Sequence, residues 1–318
     1  MSPIDVKDAG YRHEAVFYRG TDDLVAQLLP FVRDGVAARE PTLVVLSVAK
    51  IDRLRIALGA DCAGVGYADM AAVGANPARI IPLWQEFLHD HADGGRRVRG
   101  IGEPIWAGRN SAELDECHRH EELLNVAFDE PPFSLLCPYD TETLEPDVIN
   151  RARHTHPLVR DRGETTASAG FPGAAAVSAP FREPLPPRPA DAPVLEFRLD
   201  GLGRARAWVT AQAAARGLPA WRTGDLVLAF NELATNSVVH GGGRGSVSVW
   251  REDDAVICEI RDGGGVTDPL ADRTRPAADA RGGRGLWIAN QLCELVQLRA
   301  VASGAVNRLH LRVPRGLA

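Results

Sequence analysis

Residues 160–193 divide this chain, because their composition does not suit a packed core. The segment is rich in Pro, Ala, Gly and Ser. Closely spaced prolines favour an extended, semi-rigid spacer. At 318 residues, 45% of them hydrophobic, the chain is long enough to bury two ordinary cores. We therefore predict domains at 1–158 and 194–318, joined by a linker at 159–193. We also expect that no packed element runs through residues 160–193.

In the first domain, apolar runs alternate with helical patterns. Strand-like runs at 15–18, 42–47, 64–68, 97–101 and 133–137 are each followed by a helical pattern, at 22–38, 51–58, 77–91, 112–128 and 145–154. Such alternation predicts an α/β domain whose mostly parallel sheet is covered by helices. The chain order resembles RecA-like ATPases. The stretch 19–24 nevertheless lacks the second glycine and the Lys-Ser/Thr pair of a phosphate loop, so a sensing module is favoured over an ATPase here.

Three stretches carry a more specific resemblance. His-Glu-Ala-Val-Phe-Tyr at 13–18, Gly-Ile-Gly-Glu-Pro-Ile-Trp at 100–106 and Cys-Pro-Tyr-Asp at 137–140 make residues 12–158 resemble the MEDS sensory domain. The resemblance implies an unknown small molecule as ligand. Open α/β sheets bind ligands at strand ends, so we expect a mixed aromatic and polar pocket, unless Trp106 and Tyr139 are core residues. The residues expected at its edges are His13, Glu103, Trp106, Tyr139 and Asp140.

In the second domain, one helix offers two polar side chains on a single face. Glu232 and Asn236 are one helical turn apart, while Leu226, Phe230, Leu233 and Ser237 form another stripe. A strand pair at 246–253 and 255–262 follows and ends in Asp-Gly-Gly-Gly. A second glycine run, at 281–285, opens an apolar helix. Glycine loops and helix N-termini bind phosphate through free N–H groups, so the order of these motifs indicates a nucleotide.

This order, Glu-x-x-x-Asn-x-x-x-His-Gly, then Asp-Gly-Gly-Gly, then Gly-x-Gly-Leu, makes residues 194–314 resemble the Bergerat-fold (GHKL) ATPases. The small anti-sigma-factor serine kinases are the most similar subgroup. The resemblance implies an α/β sandwich that binds ATP and Mg2+. It implies the following roles: Glu232 as the base, Asn236 as the Mg2+ ligand, Asp262 as acceptor from the adenine amino group, Gly264 beside the adenine, and Gly283, Arg284, Gly285 and Leu286 around the phosphates.

The alternative is that Glu232 is a solvated helix carboxylate, Asp262 is a turn residue and the glycines are ordinary loop residues. One departure from the family pattern also stands out, since Asp-x-Gly-x-Gly is met at Asp262 and Gly264 but ends in Val266. We expect the adenine site to survive and the following segment to differ. That segment, 267–281, is broken by prolines and contains Arg273, Arg275 and Arg281. It suits either a mobile cover over phosphates or an ordinary solvated loop.

The resemblances imply a regulator whose sensor controls an ATP-binding domain. The expected reaction is phosphorylation of a serine or threonine of an anti-sigma-factor antagonist, and a sigma factor is a further expected partner. An ATP-dependent binding switch without phosphoryl transfer is the alternative. A sensor histidine kinase is a third, because His120 to Asn125 faintly resembles a phosphoacceptor box. It is disfavoured because that helix lies between two strands. By resemblance, we expect a homodimer.

Composition narrows the function classes. A net charge of −6 disfavours direct nucleic-acid binding. The N-terminus has no apolar core, and no apolar run approaches the ~20 residues that span a membrane, so we expect no membrane partner and a cytoplasmic protein. The five cysteines are dispersed, which favours reduced thiols. Cys117, His120 and Glu121 share one helix face and suit a metal, with His154 and His156 as further candidates, but a solvated face is favoured.

Overall fold

A computed structural model describes residues 10–91, 95–128, 132–173, 183–266, 268–276 and 283–314. The chain separates into two compact units, Met1–Val177 and Ser178–Ala318. None of the helices in these described ranges has an apolar stretch of membrane-spanning length.

The N-terminal unit is built on a seven-stranded sheet in the order β3-β2-β4-β5-β1-β6-β7. Its strands are β1 Arg12–Tyr18, β2 Thr42–Leu46, β3 Val65–Asp69, β4 Val98–Gly102, β5 Phe133–Asp140, β6 Leu158–Asp161 and β7 Glu164–Ala167. Its α-helices in the described residues are α1 Gly20–Ala38, α2 Val48–Leu58, α3 Met70–Val73, α4 Ile80–His91, α5 Ser111–Ala127 and α6 Pro146–Thr155.

The first six strands are parallel, and the predicted mostly parallel sheet is confirmed. Strand β2 is buried along its whole length, and so are the first seven residues of β5. This pattern fits a sheet that is covered on both faces. One core cluster joins Val16, Val44 and Leu136 of the sheet to Leu28 and Leu54 of α1 and α2.

The sheet extends beyond the predicted end of this domain. Strand β6 is parallel to β1, and β7 returns antiparallel to β6. The residues between them, Arg162 and Gly163, have φ angles of 51° and 84°. Positive φ at both central residues is typical of a tight hairpin turn. The expectation that no packed element runs through 160–193 is therefore wrong for its first residues.

The C-terminal unit contains a five-stranded antiparallel sheet in the order β11-β12-β10-β9-β8. Its strands are β8 Val194–Arg198, β9 Arg244–Glu252, β10 Ala255–Asp262, β11 Leu295–Val301 and β12 Gly304–Arg312. Its α-helices in the described ranges are α7 Leu202–Ala215, α8 Ala220–Val239 and α9 Arg284–Leu292.

Helix α8 packs on this sheet through the predicted apolar stripe. Leu226, Phe230 and Leu233 are buried in one core cluster with Val249 and Ile260 of the sheet. Because α8 lies on the sheet by this stripe, its other face is turned toward α9 and the end of β10. The predicted combination of a mostly parallel N-terminal sheet with a C-terminal helix-on-sheet domain is confirmed.

Candidate functional site

A cavity of about 210 Å³ lies beside the C-terminal half of α8. Asn236 lines it from the helix, Asp262 from the end of β10, Gly264 from the loop that follows, and Leu286 from α9. Four of the predicted site residues therefore face one space. Val266, which stands where the family pattern has a glycine, lines the same cavity.

Glu232 and Asn236 are half-buried in α8. Within the described part of the chain, neither side chain has a hydrogen-bond partner, so a carboxylate and an amide remain available to a ligand. Gly285 allows α9 to approach them closely. A Cβ atom at Gly285 would lie 2.9 Å from Asn236 Nδ2 and 3.3 Å from Glu232 Cβ. A larger residue at position 285 would therefore displace the amide.

Asp262, the last residue of β10, is held by two donors. Ser237 Oγ donates to Asp262 Oδ2 at 2.6 Å, and the Gly264 backbone N–H donates to Oδ1 at 2.8 Å. A carboxylate has about four lone-pair sites, so Asp262 keeps acceptor capacity for an amino group in the cavity. Gly264 fits tightly here, because a Cβ atom would lie 2.9 Å from Asp262 Oδ1.

Three residues that shape this cavity were missed from the sequence. Ser237 was placed on the core stripe, yet it orients Asp262. Gly304, the first residue of β12, has φ +133°, and an added Cβ atom would lie 1.8 Å from the Asp262 carbonyl oxygen. Asn307 of β12 lines the cavity with a buried side-chain oxygen that has no hydrogen-bond partner among the described residues. The one signal that the sequence offered was a serine among the apolar residues of the helix stripe.

The N-terminus of α9 lies next to this region. Gly283 caps the helix with φ 81°, a conformation that favours glycine, and Arg284 is exposed at the first position. Of the arginines between Val266 and this helix, Arg273 is fully buried, with its Nε 3.2 Å from Asp272 Oδ2. It therefore does not offer its charge to phosphates, in contrast to the alternative of a basic cover. Arg275 is exposed. Arg281 and the first glycine of the second run lie outside the described residues.

In the N-terminal unit, the expected pocket residues do not meet at one edge. Glu103 lies just beyond the carboxyl end of β4 and contacts Tyr18 Oη and Lys50 Nζ at 2.5 and 2.7 Å. Burial raises the pKa of Glu103, although Lys50 acts against it. His13, by contrast, is the second residue of β1. A cavity of about 470 Å³ opens at the amino ends of the strands, lined among others by Tyr11, Arg12, His13, Arg97 and Arg160.

The polar face of α5 is not solvated, so that expectation is wrong. Cys117, His118, His120 and Glu121 are each at most 1% exposed. Burial lowers the pKa of His118 to about 3, and this histidine is therefore neutral at pH 7. Cys117 Sγ donates to the Pro104 carbonyl oxygen. His120, the residue of the faint phosphoacceptor resemblance, is enclosed in the same way.

Comparisons with known proteins agree with this division. The family model described as MEDS, MEthanogen/methylotroph, DcmR Sensory domain matches residues 12–157. The family model described as Histidine kinase-like ATPase domain matches residues 195–312. No curated protein matches the chain. The N-terminal match lies within the parallel-sheet unit, and the C-terminal match includes the cavity residues. The chain thus matches a MEDS sensory domain followed by a histidine kinase-like ATPase domain, an arrangement that suggests a signalling regulator.

Proposed function

We propose that the C-terminal unit binds Mg2+-ATP in the cavity beside α8 and transfers the γ-phosphoryl group to a serine or threonine of a partner protein. The observation that carries this proposal is a pair of side chains, Glu232 and Asn236, that have no hydrogen-bond partner among the described residues. They lie on the helix face that Gly285 approaches without a side chain. A carboxylate and an amide at this spacing supply a base and a hard oxygen ligand.

The cavity suits the base of the nucleotide. Its volume of about 210 Å³ is below the ~300–1,000 Å³ of typical sites for whole drug-sized ligands, so it would take the base and leave the phosphates outside. The apolar residues Leu298 and Ala305 are part of its lining. The adenine amino group donates to Asp262. The triphosphate then extends toward Gly283 and the N-terminus of α9, where free backbone N–H groups and the helix dipole favour phosphate.

The reaction follows from these positions. Asn236 would hold Mg2+, which would neutralise charge that develops on the phosphates, and Glu232 would accept the proton of the attacking hydroxyl. The hydroxyl oxygen forms a bond to the γ-phosphorus, the bond from that phosphorus to the β–γ bridging oxygen breaks, and ADP leaves. The expected acceptor is an anti-sigma-factor antagonist, by resemblance to the anti-sigma kinases. A sigma factor is a second expected partner, a homodimer is the expected assembly, and a small molecule at the N-terminal unit is the expected signal.

The buried position of His120 disfavours a histidine kinase, because ATP does not reach an enclosed imidazole. The binding switch remains the competing function, and one experiment separates the two. The full-length protein is incubated with Mg2+ and ATP labelled at the γ-phosphorus, together with a panel of purified anti-sigma antagonists and sigma factors. Acid-stable label on a partner, lost in Glu232→Gln, supports the kinase.

Other outcomes of this experiment count against the kinase. A nucleotide-dependent complex without label transfer supports the switch. Acid-labile label on the chain itself supports a histidine kinase. Transfer at the wild-type rate by Glu232→Gln removes Glu232 from the role of base. The absence of any ATP binding to the wild-type protein contradicts the whole proposal.

A further inference from the structure

The N-terminal unit buries four metal-ligating side chains in one cluster. His13 comes from β1, Glu121 from α5, Cys137 from β5, and His156 follows α6. Each is at most 1% exposed, and one ligand atom from each lies within 4.8 Å of the others. Strands β1 and β5 are adjacent and parallel, with His13 opposite Leu135, so His13 and Cys137 point to the same face.

The hydrogen bonds of His13 fix its tautomer. Its Nδ1 lies 3.0 Å from Asn125 Oδ1. The amide nitrogen of Asn125 donates to the carbonyl oxygens of Thr155 and Glu121 at 2.8 and 3.2 Å, which identifies Oδ1 as the acceptor. His13 Nδ1 therefore carries a proton, and Nε2 faces into the cluster, 3.1 Å from Glu121 Oε2.

His156 is arranged in the same way. Its Nδ1 lies 2.8 Å from the Ala152 carbonyl oxygen, which only accepts. Among the described residues its Nε2 has no hydrogen-bond partner, and it lies 3.3 Å from the same Glu121 Oε2. The Nε2 atoms of both rings thus converge on one buried carboxylate oxygen, while both Nδ1 atoms are turned away toward acceptors. This arrangement is typical of histidines that bind a metal through Nε2.

The distances and charges of the cluster match zinc. Bonds of about 2.0–2.3 Å from Zn2+ to N, O and S place tetrahedral ligand atoms roughly 3.3–3.7 Å apart. Three of the six separations here are 3.1, 3.3 and 3.4 Å, the last between Cys137 Sγ and His13 Nε2, and the full set lies within 4.8 Å. One carboxylate and one thiolate neutralise a divalent ion. Glu121 Oε1 also has no hydrogen-bond partner in the described part of the chain, and a ligand set containing thiolate and imidazole favours zinc over magnesium or calcium.

We propose that His13, Glu121, Cys137 and His156 form a buried four-coordinate Zn2+ site. On binding, the Cys137 thiol loses its proton to solvent, and the thiolate, the carboxylate and both Nε2 atoms coordinate the ion. Backbone and amide oxygens that accept from both Nδ1 atoms orient the rings, as is usual around metal-bound histidines. Four protein ligands leave no open position, so the ion is structural and ties β1 and β5 to α5 and the end of α6.

The test measures metal rather than enzymatic activity, and uses the full-length protein without nucleotide. Zinc is counted after purification and after reconstitution with Zn2+ and removal of excess ion. Co2+ is then substituted to record thiolate-to-cobalt charge transfer. Cys137→Ser and His156→Ala are compared with Cys117→Ser, a matched control because Cys117 is also buried in this unit and a serine keeps its hydrogen bond to Pro104.

We expect about one zinc per chain in the wild type and in Cys117→Ser. Cys137→Ser should lose the cobalt charge-transfer band, and His156→Ala should lose most of the zinc. A wild-type protein that stays free of zinc after reconstitution overturns the proposal, even if the variants misfold. So does a charge-transfer band that persists in Cys137→Ser. Asn236→Ala alters the proposed ATP site alone and should retain zinc. Failure of the zinc proposal can therefore be distinguished from failure of the ATP proposal.

Discussion

The two units place their polar residues in opposite ways. The N-terminal unit encloses an acid, a thiol and two imidazoles beneath α5 and α6, where they contact one another. The C-terminal unit leaves Glu232 and Asn236 half-buried and without partners in the described chain, beside a cavity of about 210 Å³. The first arrangement admits nothing larger than an ion, and the second has room for a heterocyclic base.

The difference has a structural origin. The parallel sheet is covered on both faces, so polar side chains on its strands are enclosed and must satisfy one another. The antiparallel sheet carries helices on its core face, and the gap between α8 and α9 opens at the end of β10. Polar residues at this gap are reached from solvent. We call the buried cluster of His13, Glu121, Cys137 and His156 the closed site, and the cavity beside Glu232 and Asn236 the open site. Four substitutions test this contrast.

Asn236→Ala should have the largest effect, because it removes the proposed metal ligand itself. We expect Mg2+-dependent ATP affinity to fall more than about 100-fold, beyond the ~10–100-fold typical of residues that act through a ligand. Calorimetric titration with Mg2+-ATP measures it. Asn231→Ala is the control on the same helix, since Asn231 bonds to Arg206. Unchanged binding in Asn236→Ala would show that the open site is assigned to the wrong residues.

Asn125→Ala tests the closed site through a residue that orients His13. Loss of the acceptor for His13 Nδ1 should lower Zn2+ affinity about 10–100-fold, measured by competition with a chromogenic chelator. Asn125→Asp keeps the acceptor and should retain more zinc. Equal zinc affinity in all three proteins would mean that this hydrogen bond does not support a metal ligand.

Gly285→Ala introduces a methyl group where the open site has no room. The new Cβ would lie 2.9 Å from Asn236 Nδ2, so we expect ATP affinity to fall about tenfold, or ~1.4 kcal/mol. Gly224→Ala is the control in α8, where nothing lies within 4 Å of the added carbon. It should leave ATP affinity unchanged and raise the thermal midpoint. Full affinity in Gly285→Ala would place the nucleotide elsewhere.

Ser237→Ala should have the smallest effect. It removes one of the two donors that hold Asp262 and leaves the Gly264 N–H in place. We expect a loss of about fivefold in ATP affinity, close to 1 kcal/mol, and the same titration detects it. Thr235→Ala removes a hydroxyl that bonds only to the Asn231 carbonyl and serves as the control. Equal losses in both variants would indicate general weakening of α8.

Local patterns were sufficient to predict β1 to β5 with the helices that alternate with them, and α8, β9, β10 and α9 of the C-terminal unit. Apolar runs followed by helical patterns located the strands through β5 and helices such as α5 to within a few residues. The β6–β7 hairpin was missed because proline and alanine further along dominated the composition of 160–193. Arg162 and Gly163, between two short alternating runs, were the available turn signal.

The two sites differ in how far sequence could predict them. Glu232 and Asn236 lie in one helix, and the glycine runs follow in order, so spacing brings them together. The four residues of the closed cluster come from four elements between positions 13 and 156, and no spacing connects them. Their proximity depends on the pairing of β1 with β5, which is a feature of the tertiary structure. For the same reason, Cys117 and His120 were weighed as ligands while His13 and Cys137 were not.

The β6–β7 hairpin determines where the chain leaves the sensory domain. Because β7 runs back along β6, the exit lies at the amino ends of the strands. There the Ser168 N–H donates to the Pro157 carbonyl oxygen at 2.9 Å, and Ser168 Oγ bonds to the Arg153 carbonyl oxygen at 2.5 Å. Pro157 is the immediate neighbour of His156. The first residue after β7 is therefore hydrogen-bonded to the neighbour of His156, so a displacement of His156 that moves Pro157 also moves the point at which the chain leaves this sheet.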